Sequence, residues 1–389
     1  MAAFAPAQIK AHSLTGRINL RLVYDSFRAV KRNRGAAGID KVSIKMFEAN
    51  QLENLLSVLG ALKDGSFEPK PLRRHYIDKG NGKLRPLGIP AVRDRVAQET
   101  LRRLLNPIFE PLFHEASYGF RPGRNCHLAL ERVLEEHGNG HQVVLDADIQ
   151  GFFDNLPHAV IMQALAAQVA DGNILNLVEK FLRAGVMDNG VFKPTTVGTP
   201  QGGVISPLLA NIVLNHLDWQ LHQHGFRFVR YADDFVVLTQ SKAQAEEALA
   251  LVTRTLGTLG LSLSPEKTRI TSYRRGYAFL GFVLSRHSRR MREKSVQKFQ
   301  DKIRLLTPRH HNLDAKVIKK LNQVIRGTAH YFATPWATTH WQLRRQDSWI
   351  RARLRAMWQK CRRKTDNYRL PNKKFVQLGL LSLTSFILT

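Results

Sequence analysis

Two adjacent carboxylates, Asp233 and Asp234, interrupt an apolar run that reads Phe226-Arg227-Phe228-Val229-Arg230-Tyr231-Ala232-Asp233-Asp234-Phe235-Val236-Val237-Leu238. Flanks rich in Phe and Val read as strands, and a hairpin turn at Asp233-Asp234 leaves both carboxylates at the lip of a sheet. Neighbouring aspartates serve a fold poorly and a divalent cation well. Asp is also an ordinary turn residue, so a metal site requires a third carboxylate, basic groups for phosphate and a surface for nucleic acid. A second apolar strand, Gln142-Val143-Val144-Leu145-Asp146-Ala147-Asp148, also ends in aspartates. Alternation puts Asp146, Asp148 and Gln150 on one face, and spacing leaves open which of Asp146 and Asp148 binds metal. Asp154 lies beyond them, as the expected cap of a helix starting near Pro157.

Basic groups recur at matching places. Phe67 to Ile77 is extended by its prolines, Asp78 to Lys83 is a turn by composition, and Leu84 to Pro90 follows. Lys83 and Arg85, two apart on a strand, face the same side and suit a triphosphate, though charges on a solvated edge strand look the same. Ser117-Tyr118-Gly119-Phe120-Arg121-Pro122-Gly123-Arg124 combines glycines for close backbone approach, arginines for phosphate and rings that can stack on bases. Thr199-Pro200-Gln201-Gly202-Gly203 precedes a helix with Ser206 as cap and Pro207 at its first position. It can approach phosphate or a base pair, and equally can be a tight turn. Lys267 stands alone and exposed in a turn after Leu261-Ser262-Leu263.

The elements that position these groups alternate. Helices fill residues 1–60, Arg93 to Phe113, Leu128 to Glu136 and 157–185. Another starts at a capping box formed by Ser241 and Gln244. A hairpin at Tyr277 to Leu284 ends the alternation. From Arg289 to Lys364 the chain turns helical and basic, with 21 Lys and Arg against Glu293, Asp301, Asp314 and Asp347, and carries Tyr331, Phe332, Trp336, Trp341, Trp349 and Trp358. Lys373 to Thr389 reads as an apolar tail packed on these helices.

The chain of 389 residues holds 59 Lys+Arg against 31 Asp+Glu, a formal net charge of +28, which calls for a polyanion partner. A membrane surface is disfavoured because the longest uncharged stretches carry Pro, Gly, Gln and Asn. The N-terminus lacks the pattern of a secretion signal. Cys126 and Cys361 are too few for a disulfide framework or a zinc site, so a cytoplasmic setting is expected. Carboxylates from two strands can converge on two divalent cations about 3.5–4 Å apart that serve a 3′-hydroxyl and a leaving pyrophosphate. All-oxygen ligands favour Mg²⁺, with Mn²⁺ a substitute.

These ordered motifs, spread from about Leu22 to Leu383, resemble reverse transcriptases of the group II intron type, which combine polymerase and intron maturase. The resemblance implies an α+β fold: a right-hand polymerase whose fingers and palm, an antiparallel sheet flanked by helices, precede an α-helical thumb or maturase domain. The expected boundaries are 1–70 for an N-terminal helical extension, 71–285 for fingers and palm, and 286–389 for the basic helical domain. It implies Asp148, Asp233 and Asp234 as catalytic metal ligands, joined by the Ile149 backbone carbonyl. Phe153 is similar to the steric gate that favours deoxynucleotides, Gln201 joins Lys83 and Arg85 around the deoxynucleoside triphosphate, and Lys267 matches the position that protonates pyrophosphate. Phe279-Leu280-Gly281 looks like the primer grip. Arg121, Arg124, Arg326, Arg351 and Arg353 are the implied nucleic-acid contacts.

The implied partners are an RNA template, an RNA/DNA duplex and group II intron RNA, with no membrane. Two departures stand out. Asp78 occupies the place of a proline in the family's Ile-Pro-Lys and puts an acid near the triphosphate. The chain also stops at Thr389 with no DNA-binding extension and no endonuclease segment, so DNA target cleavage is not expected. The competing expectations are a free-standing member co-opted for DNA repair or phage defence, and an RNA-binding maturase whose main role is splicing.

Overall fold

The computed structural model describes residue 4 and residues 9–78, 84–199, 202–360 and 366–387. Packing divides the chain into two units, Met1–Ile270 and Thr271–Thr389. Lys83 and Gln201, both expected at the triphosphate, lie outside the described residues, as does Cys361.

In chain order the first unit runs α1 (Leu20–Arg32), α2 (Ile44–Ala49), α3 (Gln51–Asp64), β1 (Leu72–Asp78), β2 (Leu84–Ile89), α4 (Val92–Phe109), α5 (Cys126–Gly138), β3 (Val143–Asp148) and α6 (Phe152–Asn155). It continues through α7 (His158–Ala166), α8 (Gly172–Arg183), β4 (Val186–Asp188), β5 (Val191–Lys193), α9 (Ser206–Gln223), β6 (Arg227–Tyr231), β7 (Asp234–Thr239) and α10 (Lys242–Thr258) to β8 (Arg269–Ser272). The helical spacing of Val23, Phe27 and Val30 buries one face of α1, and these side chains share a core with Leu55 and Val58 of α3 and Val96 and Leu101 of α4. Thr15 donates through its backbone N and its hydroxyl to Asp171, the N-cap of α8. The N-terminal helices therefore belong to the same packed unit as the strands that follow.

One sheet has the order β2-β1-β4-β5: β1 and β2 pair antiparallel with Ile77 opposite Arg85, while β1 and β4 run parallel. The other has the order β6-β7-β3-β8. Its central strand β7 is buried from Phe235 to Thr239, as expected of a strand covered on both faces. Half of the capping box forms: Ser241 Oγ accepts from Gln244 N at 3.2 Å, while Gln244 Oε1 reaches back to Gln240 N, one residue before the cap, at 3.0 Å. Two expected caps do not form. Asp154 lies inside α6, and the cap position of α7 is Pro157. Ser206 is the first residue of α9 after Ile205 at the cap, because Pro207 is tolerated anywhere in a first turn.

The second unit opens with β9 (Tyr277–Phe279), β10 (Phe282–Leu284) and β11 (Arg289–Met291), an antiparallel sheet in the order β11-β10-β9. Helices α11 (Glu293–Leu306), α12 (Ala315–Phe332), α13 (His340–Trp358), α14 (Asp366–Arg369) and α15 (Asn372–Gln377) follow. Phe282 packs against Phe332 at 4.9 Å and Trp336 at 5.0 Å between ring centroids, so these rings are core, whereas Trp341 and Trp358 are about half exposed. The tail is fastened by polar bonds: buried Asp347 accepts from Leu383 N and from the Ser382 and Thr384 hydroxyls. That acid is a structural anchor in an otherwise basic unit.

Candidate active site

Asp148 is the last residue of β3 and Asp234 the first of β7, and they stand directly opposite each other across the antiparallel pair. Opposed residues share a face, so both carboxylates leave the sheet on the same side. The reversal between β6 and β7 is one residue earlier than the sequence suggests. Tyr231 pairs with Asp234, so Ala232 and Asp233 form the turn and Asp234 is already strand. Ala232 adopts a left-handed conformation, φ 59°.

Three acids at this edge are unequally compensated. Asp146, two residues before Asp148 on the same face, accepts from Arg269 Nε at 3.2 Å. Asp148 Oδ2 accepts from Lys267 Nζ at 2.9 Å, with the lysine side chain 65% and the aspartate 40% exposed. Burial pushes the Asp233 carboxyl above the usual carboxylate range, and the charge of Asp148 pushes it further, with Arg85 and Arg230 offsetting part of the rise. Asp146 therefore has a guanidinium partner and Asp148 an ammonium partner, while Asp148 and Asp233 repel each other. Arg85, on β2, is near enough to Asp233 to lower its carboxyl pKa in part.

Among the described residues, no three His, Cys, Asp or Glu side chains are gathered closely enough to hold a metal ion. The donor chemistry nonetheless fits a hard divalent cation: the acids offer only carboxylate oxygens, they repel one another, and the ammonium of Lys267 supplies the counter-charge that a cation would bring. Buried Ile149 continues β3 and forms an isolated bridge with Leu263, and Ser264 N donates to the Asp148 carbonyl at 2.8 Å. The turn carrying Lys267 is thereby tied to the strand carrying Asp148.

Phe153 lies half-buried in α6, edge-on to Phe152. Thr199 N donates to the Phe153 carbonyl at 2.8 Å, which sets the loop leading to Gln201 against the Phe153 turn. Buried Gln98 of α4 accepts from Val204 N at 2.7 Å and holds the far side of that loop. Sequence gave no sign of Gln98, because a Gln inside an amphipathic helix carries no positional signature.

In the Ser117–Arg124 loop, Arg121 is engaged within the fold. Arg121 is buried, with Nε 2.8 Å from Glu110 Oε1 and a second nitrogen donating to the carbonyls of His114 and Ser117. The close backbone approach of Gly119 is to the Ala232–Asp233 turn, since a Cβ there would collide with Ala232 N. Arg124 stacks over Tyr118 at 5.2 Å and donates to the Glu115 carbonyl.

In the second unit the turn Leu280-Gly281 has φ 45° and 83°, and Tyr331 Oη and Ser295 Oγ donate to its two carbonyls. Phe279 is buried. Arg353 donates to Thr307 Oγ1 and to the Thr307 carbonyl, at the end of α11, while Arg351 donates to Ser348 Oγ. Arg326 is exposed, as are Lys316, Lys319 and Lys320 on the same helix.

Residues 77–284 match the family model for reverse transcriptase (RNA-dependent DNA polymerase), and residues 296–375 match that for the group II intron maturase-specific domain. The chain is 35% identical over 313 residues to protein YkfC of Escherichia coli strain K12, covering 70% of this chain and 82% of that protein. It is 39% identical over 212 residues to the group II intron-encoded protein LtrA of Lactococcus lactis subsp. cremoris, covering 54% of this chain and 35% of the relative. An uncharacterized 91 kDa protein in the cob intron of Schizosaccharomyces pombe is 35% identical over 292 residues, 60% of this chain and 36% of its own length. The chain thus spans most of the first relative and about a third of the other two. With carboxylates opposed across β3 and β7 and a maturase-specific domain following, the chain belongs to the reverse transcriptases, the RNA-dependent DNA polymerases, of the group II intron type.

Proposed function

We propose that the chain copies RNA into DNA at Asp148, Asp233 and Asp234 with two Mg²⁺ ions, for which Mn²⁺ can substitute, and that its second unit binds group II intron RNA. The observation that carries this reading is the direct opposition of Asp148 and Asp234 beside Asp233 in the adjoining turn. Divalent cations held by these oxygens would supply positive charge where the attacking and leaving oxygens meet. In the reaction the primer 3′-hydroxyl loses its proton to water as its oxygen bonds to the α-phosphorus of a deoxynucleoside triphosphate, and the bond from that phosphorus to the bridging oxygen breaks. Lys267 gives a proton to the departing pyrophosphate, Arg85 offsets triphosphate charge, and the half-buried ring of Phe153 excludes a ribose 2′-hydroxyl.

The matching test is extension of a DNA primer on an RNA template with Mg²⁺ and deoxynucleotides. Extension that is lost in Asp233→Ala supports the assignment; equal extension by that variant overturns it. The maturase match and the exposed Lys316, Lys319, Lys320 and Arg326 favour a further role in splicing. Binding to a folded group II intron no tighter than to random RNA would remove that role. A cytoplasmic setting accords with both activities.

A further inference from the structure

The carboxylate-bearing turn is held from behind by a second charged cluster. Arg230, immediately before Tyr231, is completely buried, as is Asp218 of α9, and Asn211 of the same helix is 1% exposed. The guanidinium donates from Nε to Asp218 Oδ1 at 2.7 Å and from a terminal nitrogen to Asp218 Oδ2. Its other terminal nitrogen donates to Asn211 Oδ1 and to the carbonyl of Ala232, each at 2.9 Å. Asn211 Nδ2 donates in turn to the Gly119 carbonyl at 2.8 Å, on the loop lying against Ala232 N. The backbone of Arg230 is fixed as well, with its N donating to the Ala116 carbonyl and its carbonyl accepting from Tyr118 N.

A buried ion pair is a poor means of gaining stability, because a well-packed apolar pair of the same size serves a core as well or better. What an apolar pair lacks is a directed hydrogen bond to one chosen carbonyl. Here that carbonyl belongs to Ala232, a non-glycine residue held left-handed, and its peptide plane leads directly into Asp233. We infer that Arg230, with Asp218 and Asn211, is a positioning group that fixes the Ala232–Asp233 peptide and thereby the direction in which Asp233 meets Asp148 and Asp234. The inference rests on the proposed assignment of those three carboxylates. It adds residues that touch neither substrate nor cation.

The test uses Arg230→Lys, which keeps the charge but cannot span Asp218 and the Ala232 carbonyl together, and Asn211→Ala, which keeps the ion pair. Val213→Ala, in the buried face of the same helix, is the control, with temperatures chosen so that all variants sit equally far below their own Tm. Three readouts are made on the full chain: Mn²⁺ binding by electron paramagnetic resonance, kcat and KM for deoxynucleotide, and amide hydrogen exchange of residues 231–235. We expect Arg230→Lys to weaken Mn²⁺ binding and lower kcat about tenfold or more with KM nearly unchanged, as misplacement of a reacting group does. Exchange should quicken in the turn alone. Asn211→Ala should show a smaller loss of the same kind, and Val213→Ala none. Unchanged Mn²⁺ affinity and exchange in both network variants, or equal losses in Val213→Ala, would overturn the inference. Should Arg230→Lys not fold, Asn211→Ala decides by the same readouts. A wild-type chain that fails to extend primers would sink the polymerase reading, whereas the Mn²⁺ and exchange results would still judge the positioning role.

Discussion

Two charged clusters sit on either side of one hairpin turn, and they are built on opposite terms. Behind the turn, Arg230 and Asp218 are fully buried and both carboxylate oxygens accept from the guanidinium. In front of it, Asp148, Asp233 and Asp234 crowd like charges at a half-open edge, and burial and neighbouring charge hold the Asp233 carboxyl above its ordinary range. The same residue types thus form a buried clamp in one place and a partly exposed, like-charged face in the other. A closed cluster contributes geometry; a crowded acidic one at an exposed edge can contribute chemistry, because added positive charge relieves its repulsion.

The contrast yields a set of expected outcomes. Asp233→Ala should cut primer extension on RNA by at least about a thousandfold, on the order of losing a principal charge-stabilising group. The melting temperature should stay level or rise, since the substitution relieves repulsion. A large fall in Tm would mean that the front cluster also holds the fold. Arg230→Met should do the reverse in kind and lower stability in urea by about 3–5 kcal/mol, because it leaves Asp218 buried and unpaired. Adding Asp218→Leu should restore much of that loss, and failure to restore it would show that the pair contributes more than its own neutrality.

Lys267→Ala should reduce kcat by about a hundredfold, as loss of a general acid does. Its ion pair with Asp148 is largely exposed and worth at most about 1 kcal/mol, so chemical denaturation should barely move. A rate unaffected by the change would remove Lys267 from the reaction. The smallest expected effect is at Asp94 of α4. Burial raises Asp94 to about 6, and its Oδ2 accepts from Lys70 N. Because the unfolded carboxyl loses its proton near pH 4 and the folded one near pH 6, the cost of ionising it in the fold is fully present above pH 6. It vanishes below about pH 4. Asp94→Asn should therefore stabilise the protein at pH 7 by about 2 kcal/mol, and the gain should be absent at the acid end of a urea series run across pH.

The hairpin, the third carboxylate on another strand and the basic helical region were all legible in the chain, because each depends on local patterning: strand-period apolar runs ending in acids, and a composition shift after Arg289. Particular side chains were not. Arg121 and Arg353 were expected at nucleic acid, and in the fold Arg121 also joins Glu110 while Arg353 also closes the end of α11. Charge in a sequence does not say whether the fold has already supplied a partner. Gln98 and Asp218, both buried in helices, had no visible role at all.

By itself, then, the sequence determined which residues could do chemistry and on what kinds of element they stand, since propensity, period and turn chemistry act over a few residues. Only the tertiary structure decided which charges meet which partners. It moved the turn to Ala232-Asp233, set Asp148 across from Asp234, gave Asp146 to Arg269, and placed Arg230 behind the turn with Asp218 and Asn211. Those outcomes depend on strand register and on partners 12 to 123 residues away along the chain, and such distances are bridged by packing rather than by local preference.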